Sequence, residues 1–156
     1  MKKIKWILII LNSLMLFISS YNFLIKHKMN INEWLIVNPS FVFTLIMIIA
    51  ILLNSRILMS ISIPGVFYYG TLGLFLFSWE GPILIAQIGH ILMTLGILYM
   101  LASIISKFAF IRFALGFFIG LALLIPLIFY QTDYFKKKPE ILKVFEDPNF
   151  IKKYIK

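Results

Sequence analysis

Residues 83–106, ILIAQIGHILMTLGILYMLASIIS, decide the fold. The stretch holds no Asp, Glu, Lys or Arg, and a helix needs about 20 apolar residues to cross the roughly 30 Å hydrocarbon core of a bilayer. It lacks the alternation of a membrane barrel strand and is more than twice the length of one. Backbone groups in lipid find partners only within such a segment, so the stretch reads as a transmembrane helix.

Working outward, four more stretches meet the same criterion: 4–25, 34–54, 57–79 and 108–130. Asn54-Ser55-Arg56, Glu80-Gly81-Pro82 and Ser106-Lys107 leave joints of two or three residues, which force consecutive helices to run antiparallel as neighbours. The expected architecture is an all-α polytopic integral membrane protein: a bundle of about five hydrophobic helices within 1–130, followed by a basic amphipathic tail over 131–156. An alternative has four spans, with 65–79 as a re-entrant or interfacial piece, because Pro64-Gly65, Gly70 and Gly73 make a poor regular helix. Lys2, Lys3 and Lys5 before an apolar run resemble a signal peptide, but the run is long for one and Ser19-Ser20 is a poor cleavage site, so retention as a helix is the simpler reading.

Composition agrees. Of 156 residues, 62% are hydrophobic and 13% charged, against roughly 45–50% and 25% in soluble domains. The absence of cysteine excludes disulfides, thiolate metal sites and a cysteine nucleophile. Five crossings put six Lys and Arg near each face, a tie under the positive-inside rule; the four-span alternative favours a cytoplasmic C-terminus, the expected side in both arrangements.

Four polar residues stand out near the fourth segment: Glu80, Gln87, His90 and Thr94. The last three share one helix face. An imidazole about 10 Å below the helix start is costly against lipid and should face the bundle or a wet cavity. Two readings compete, hydrogen-bonded contact between helices and a polar path for a proton or substrate. Glu80, before Pro82, is placed to cap the next helix near the positive end of its dipole. Gly116 and Gly120 form a GxxxG pair suited to close helix packing. Arg112 and the run Lys136, Lys137 and Lys138 are expected at anionic lipid headgroups, the lysines behind an aromatic belt of Tyr130, Tyr134 and Phe135. Ile141, Leu142, Val144 and Phe145, and beyond the Asp147-Pro148-Asn149 break Phe150, Ile151, Tyr154 and Ile155, suggest two surface-lying amphipathic turns.

No nucleotide loop, nucleophile elbow, metalloprotease helix or nucleic-acid motif is present. Glu80 and His90, ten positions apart on one helix, lie about 15 Å apart along its axis and cannot act as an acid–base pair. The expected function is therefore a non-enzymatic accessory or partner-binding membrane subunit, with lipid and a membrane-protein or homo-oligomeric partner and without nucleic acid, metal or cofactor. The alternative is a small transporter or channel using the polar face of the fourth helix.

Overall fold

A computed structural model describes residues 2–145, and among them every regular element is helical. Helix α1 covers Lys2–Ser20 and runs on through a π-helical turn, Tyr21–Lys26. Asn30 then caps α2, Ile31–Val37, its side chain accepting the Glu33 backbone N–H at 2.9 Å. This is a standard use of a short amide side chain, which satisfies one orphan donor of the first turn.

After Asn38-Pro39 the chain turns by 80° into α3, Ser40–Leu53. The residue before a proline is driven out of the helical region, and Asn38 sits at φ −121°, ψ 59°. The expected span over 34–54 is therefore two pieces, the end of a helix of about two turns and a 14-residue helix. Asn54, at φ +52°, ends α3 in the left-handed region that asparagine tolerates better than most residues. Helix α4, Arg56–Val66, follows at once, widens into a second π-helical turn at Phe67–Thr71 and finishes as the short α5, Gly73–Leu76. Together they form one 21-residue element. Pro64 lies inside it without breaking it, so the separate re-entrant piece proposed for 65–79 is not formed, and the element ends three residues before Trp79.

Gly81, at φ +60°, and Pro82 start a 3₁₀ turn, Gly81–Ile83, that leads into α6, Leu84–Ile105. Helix α7, Phe110–Lys137, extends seven residues past the expected end at Tyr130. Residues 131–137 thus belong to the bundle rather than to a separate tail. A last 3₁₀ turn, Pro139–Phe145, folds back with Leu142 buried. The expected turn containing Phe150, Ile151, Tyr154 and Ile155 lies outside the described residues.

Among the described residues four helical elements are long and apolar enough to cross a membrane, Lys2–Lys26, Arg56–Leu76, Leu84–Ile105 and Phe110–Lys137; the bent α2–α3 pair makes up to five. Cross-contacts fix their directions. Lys5 Nζ on α1 reaches the Leu52 carbonyl near the end of α3 at 3.0 Å, while Asn38, just before α3, donates to Ser19 Oγ at 2.8 Å; the two helices are antiparallel. Parallel packing joins α4 and α7, where Gly116 lies against Ile57 and Ser60 and Gly120 against Ile61 and Pro64. One end of the bundle therefore gathers Lys2, Lys3, Lys5, Arg56, Lys107 and Arg112. The other gathers Lys26, Lys28, Glu33, Glu80, Asp133 and the lysines that end α7.

The end near Arg56 is densely packed. Met47, Ala50, Met59, Val66 and Met100 are fully buried with Ile51, Ile63, Ile97 and Ile104 around them. Glycines provide the seats: the Phe43 ring lies on Gly65 and the Met47 sulfur on Gly96. Small residues let apolar helices approach where no hydrophobic drive separates helix from lipid.

Candidate functional site

Towards the opposite end the helices diverge around a cavity of about 430 Å³, within the range of small-molecule sites. Its wall is built from the second half of α1, the start of α3, the end of the α4–α5 element, the first three turns of α6 and the end of α7. Both π-helical turns border it: Tyr21, Asn22, Phe23 and Lys26 come from the first, Tyr68 and Tyr69 from the second. A π turn inserts one extra residue into the helix, redirects the side chains after it, and is frequent at functional sites. Tyr21 and Ile85 are exposed and also line the cavity, so it reaches the outside of the bundle between α1 and α6. At depth it stops at Asn12, Thr44 and Met93, beneath which lies the methionine-rich core.

Only one residue of the expected polar set, His90, faces this space. Gln87 is fully buried and acts as a clamp. Its Nε2 donates to the Phe77 carbonyl at 2.9 Å and to the Ser78 carbonyl at 3.3 Å, two acceptors left over where α5 ends. The same amide's Oε1 lies 2.9 Å from His90 Nδ1. Because the amide nitrogen is committed to carbonyls, Oε1 is the acceptor and Nδ1 carries the proton. A neutral imidazole then keeps Nε2 as an acceptor. The ring stacks on Phe77 at 5.6 Å and sits over Gly73, whose missing side chain leaves the room it occupies. Thr94 donates to the His90 carbonyl at 2.9 Å and meets Thr71 Oγ1 at 3.0 Å, tying α6 to the π turn.

Glu80 does not join them. It precedes the 3₁₀ turn, exposed, and its side chain makes no capping hydrogen bond. Of the basic residues, Arg112 and Lys136 are exposed, whereas Lys137 pairs with Asp133 at 2.6 Å and Lys138 with Glu33 at 3.2 Å. The Lys138 ammonium also lies over the Tyr134 ring. Its pairing with Glu33, then Tyr134, holds its pKa above the ordinary lysine value of 10.5. Among the described residues no group of three or more His, Cys, Asp or Glu converges as a metal site would require.

Several wall residues were outside the sequence-based expectation. Tyr69 Oη donates to Gln131 Oε1 at 3.3 Å, and Gln131 Nε2 to the Ile36 carbonyl at 3.0 Å, so α7 is laced to α2 across the cavity rim. Asn38, besides holding Ser19, accepts a short hydrogen bond from Ser40 Oγ. Thr44 is 3% exposed, lines the cavity, and its hydroxyl has no hydrogen-bond partner. The signal for these residues was present but dispersed: Asn38 and Thr44 fall within 34–54, Tyr69 within 57–79 and Gln131 just beyond 108–130. Compared with protein-family models, curated proteins and solved structures, the chain matches none.

Proposed function

We propose that this chain is a multi-pass integral membrane protein that works by binding within the bilayer, as an accessory or partner-holding subunit without chemistry of its own. Its outer surface supports the membrane half of the reading. Phe108, Ile111, Phe118 and Phe129 are 68–87% exposed around α7, and apolar surface on that scale marks contact with lipid or another protein. The cavity carries the binding half. Among the described residues its wall holds no carboxylate and no acid–base pair; apart from Lys26 at the rim it offers neutral hydrogen-bonding groups set among apolar ones, as in a recognition site.

Two measurements test this. Alkaline carbonate should leave the chain in the membrane pellet while detergent releases it; release by carbonate overturns the membrane reading. Purification in mild detergent should then recover a bound partner or small molecule in stoichiometric amount. Recovery of the bare monomer alone overturns the binding reading.

A transporter is the second reading, favoured by His90 on the cavity wall. It requires the packed core below Met93 to open. Proteoliposomes showing solute flux that His90→Ala abolishes would establish it; absence of flux removes it.

The expected cytoplasmic side of the C-terminus gains support from the length of α7. With the helix ending at Lys137, the 15–20 residues that count in the positive-inside rule reach Lys152, Lys153 and Lys156 in the sequence. The tie of six against six becomes nine against six, accounting for all fifteen Lys and Arg.

A further inference from the structure

We propose that the cavity receives the uncharged, hydrogen-bonding head of a membrane lipid, a hydroxyl or ester carbonyl, whose hydrocarbon leaves the bundle between α1 and α6. This rests on the membrane reading above and names the ligand class of that site.

Three observations converge on it. Thr44 Oγ1 is buried on the cavity wall with no hydrogen-bond partner, and a buried hydroxyl in that state needs a partner that the protein does not provide. Across the same space His90, its Nδ1 committed to Gln87, retains Nε2 as an acceptor. A ligand hydroxyl can donate to Nε2 while its own or a neighbouring oxygen accepts from Thr44.

Charge selects against other heads. Among the described residues no Asp, Glu or Arg lines the cavity, and the one lysine that does, Lys26, is exposed where the π turn after α1 ends. His90 lies six residues into α6, about 9 Å below the helix start. A phosphate held at that depth would face no cation among the described residues and lose its hydration, at a cost of several kcal/mol, and an amine would find no carboxylate among them.

Size and access fit a lipid that is only partly enclosed. About 430 Å³ holds a head and the first carbons of a chain, not a whole two-chain lipid. The remaining hydrocarbon has an exit where exposed Tyr21 and Ile85 form the lip. Gly89 lies inside that gap, and a side chain there would start 3.3 Å from Met15 Cε.

The test uses the full chain in detergent micelles, titrated with dioctanoylglycerol, with dioctanoyl phosphatidic acid, or with decane, reading the thermal midpoint. Dioctanoylglycerol should raise the midpoint saturably, and the other two should not. Thr44→Val, which keeps the shape and removes the hydroxyl, should weaken the dioctanoylglycerol affinity about tenfold, the expected loss for one buried hydrogen bond. Gly89→Leu should weaken it by closing the gap. Equal stabilisation by phosphatidic acid, stabilisation by decane, a midpoint unmoved by any probe, or a Thr44→Val protein that binds unchanged overturns the proposal. Should Thr44→Val unfold, Thr44→Ser, which retains the hydroxyl, must bind as the parent does or the proposal fails. None of these results bears on carbonate extraction, which decides the membrane reading separately.

Discussion

At the scale of single residues, Gln87 does more than its neighbours His90 and Thr94. One amide terminates α5, orients the imidazole and joins two elements ten residues apart. Gln87→Leu keeps the volume but removes the amide's bonds to two carbonyls and leaves the imidazole N–H without its acceptor, a buried orphan that costs about 1–3 kcal/mol. The variant should therefore unfold at clearly lower temperature or denaturant than the parent; an unchanged midpoint would refute the clamp. Glycine carries the opposite lesson. A methyl group on Gly120 would fall on the Ile61 carbonyl oxygen, a backbone atom that cannot swing away. Gly120→Ala should destabilise by about 1–3 kcal/mol, the usual penalty for overpacking, measured by unfolding in mixed micelles. Gly81→Ala, with open space around it, should cost only the strain of its positive φ. The spacing places Gln87, His90 and Thr94 on one helix face, and the Gln87 amide is hydrogen-bonded to the His90 ring. The sequence could not reveal that only one of them meets the cavity, because a shared face does not say what packs against it.

At the scale of elements, three prolines lie within apolar stretches and only one breaks its helix. Pro64 and Pro126 are carried inside α4 and α7, whereas Pro39 begins an 80° turn. The difference lies in Asn38, whose amide holds Ser19 and takes a hydrogen bond from Ser40, giving the chain local partners in place of helical ones. Asn38→Ala should lower stability by about 1–3 kcal/mol and loosen α1 from α3, seen as faster hydrogen exchange over residues 16–22; unchanged exchange would refute the role. Segment count and helix type were legible because apolar length alone sets them. The bend was not, since hydrophobicity is continuous across Asn38-Pro39, although the residue-before-proline rule marked the place. Gly65, Gly70 and Gly73 read as helix weakeners, and the structure uses them as seats for Phe43, Met93 and His90.

At the scale of the whole molecule, the bundle has a closed end and an open one, and charge follows the same axis. Among the described residues, all four acidic side chains, Glu33, Glu80, Asp133 and Glu140, lie at the open end, and two of them hold Lys138 and Lys137. Because pairing raises the Lys138 pKa, the contribution of its ion pair is complete below the ordinary lysine value of 10.5 and disappears as pH rises through the higher folded value. An NMR titration should find Lys138 protonated beyond that point, and Glu33→Gln should return it towards normal; a normal parent value would refute the pairing. Sidedness is equally accessible. The chain has no cysteine, so single cysteines at Lys3 and Lys143 report without background. An impermeant maleimide applied to intact cells should label position 3 and spare position 143, and the reverse pattern would invert the proposed orientation.

The brevity of α3 reaches beyond the protein itself. Fourteen residues rise about 21 Å, well under the hydrocarbon depth of an average bilayer, yet Val42, Leu45, Ile49 and Leu52 present a continuous exposed stripe along it. On the membrane reading proposed above, lipids beside that stripe must compress to match it, while those along 28-residue α7 need not. The surrounding sheet of lipid would then be thinner on one flank than on the other, a mismatch that costs fractions of a kcal/mol per ångström and would favour membranes built from shorter acyl chains.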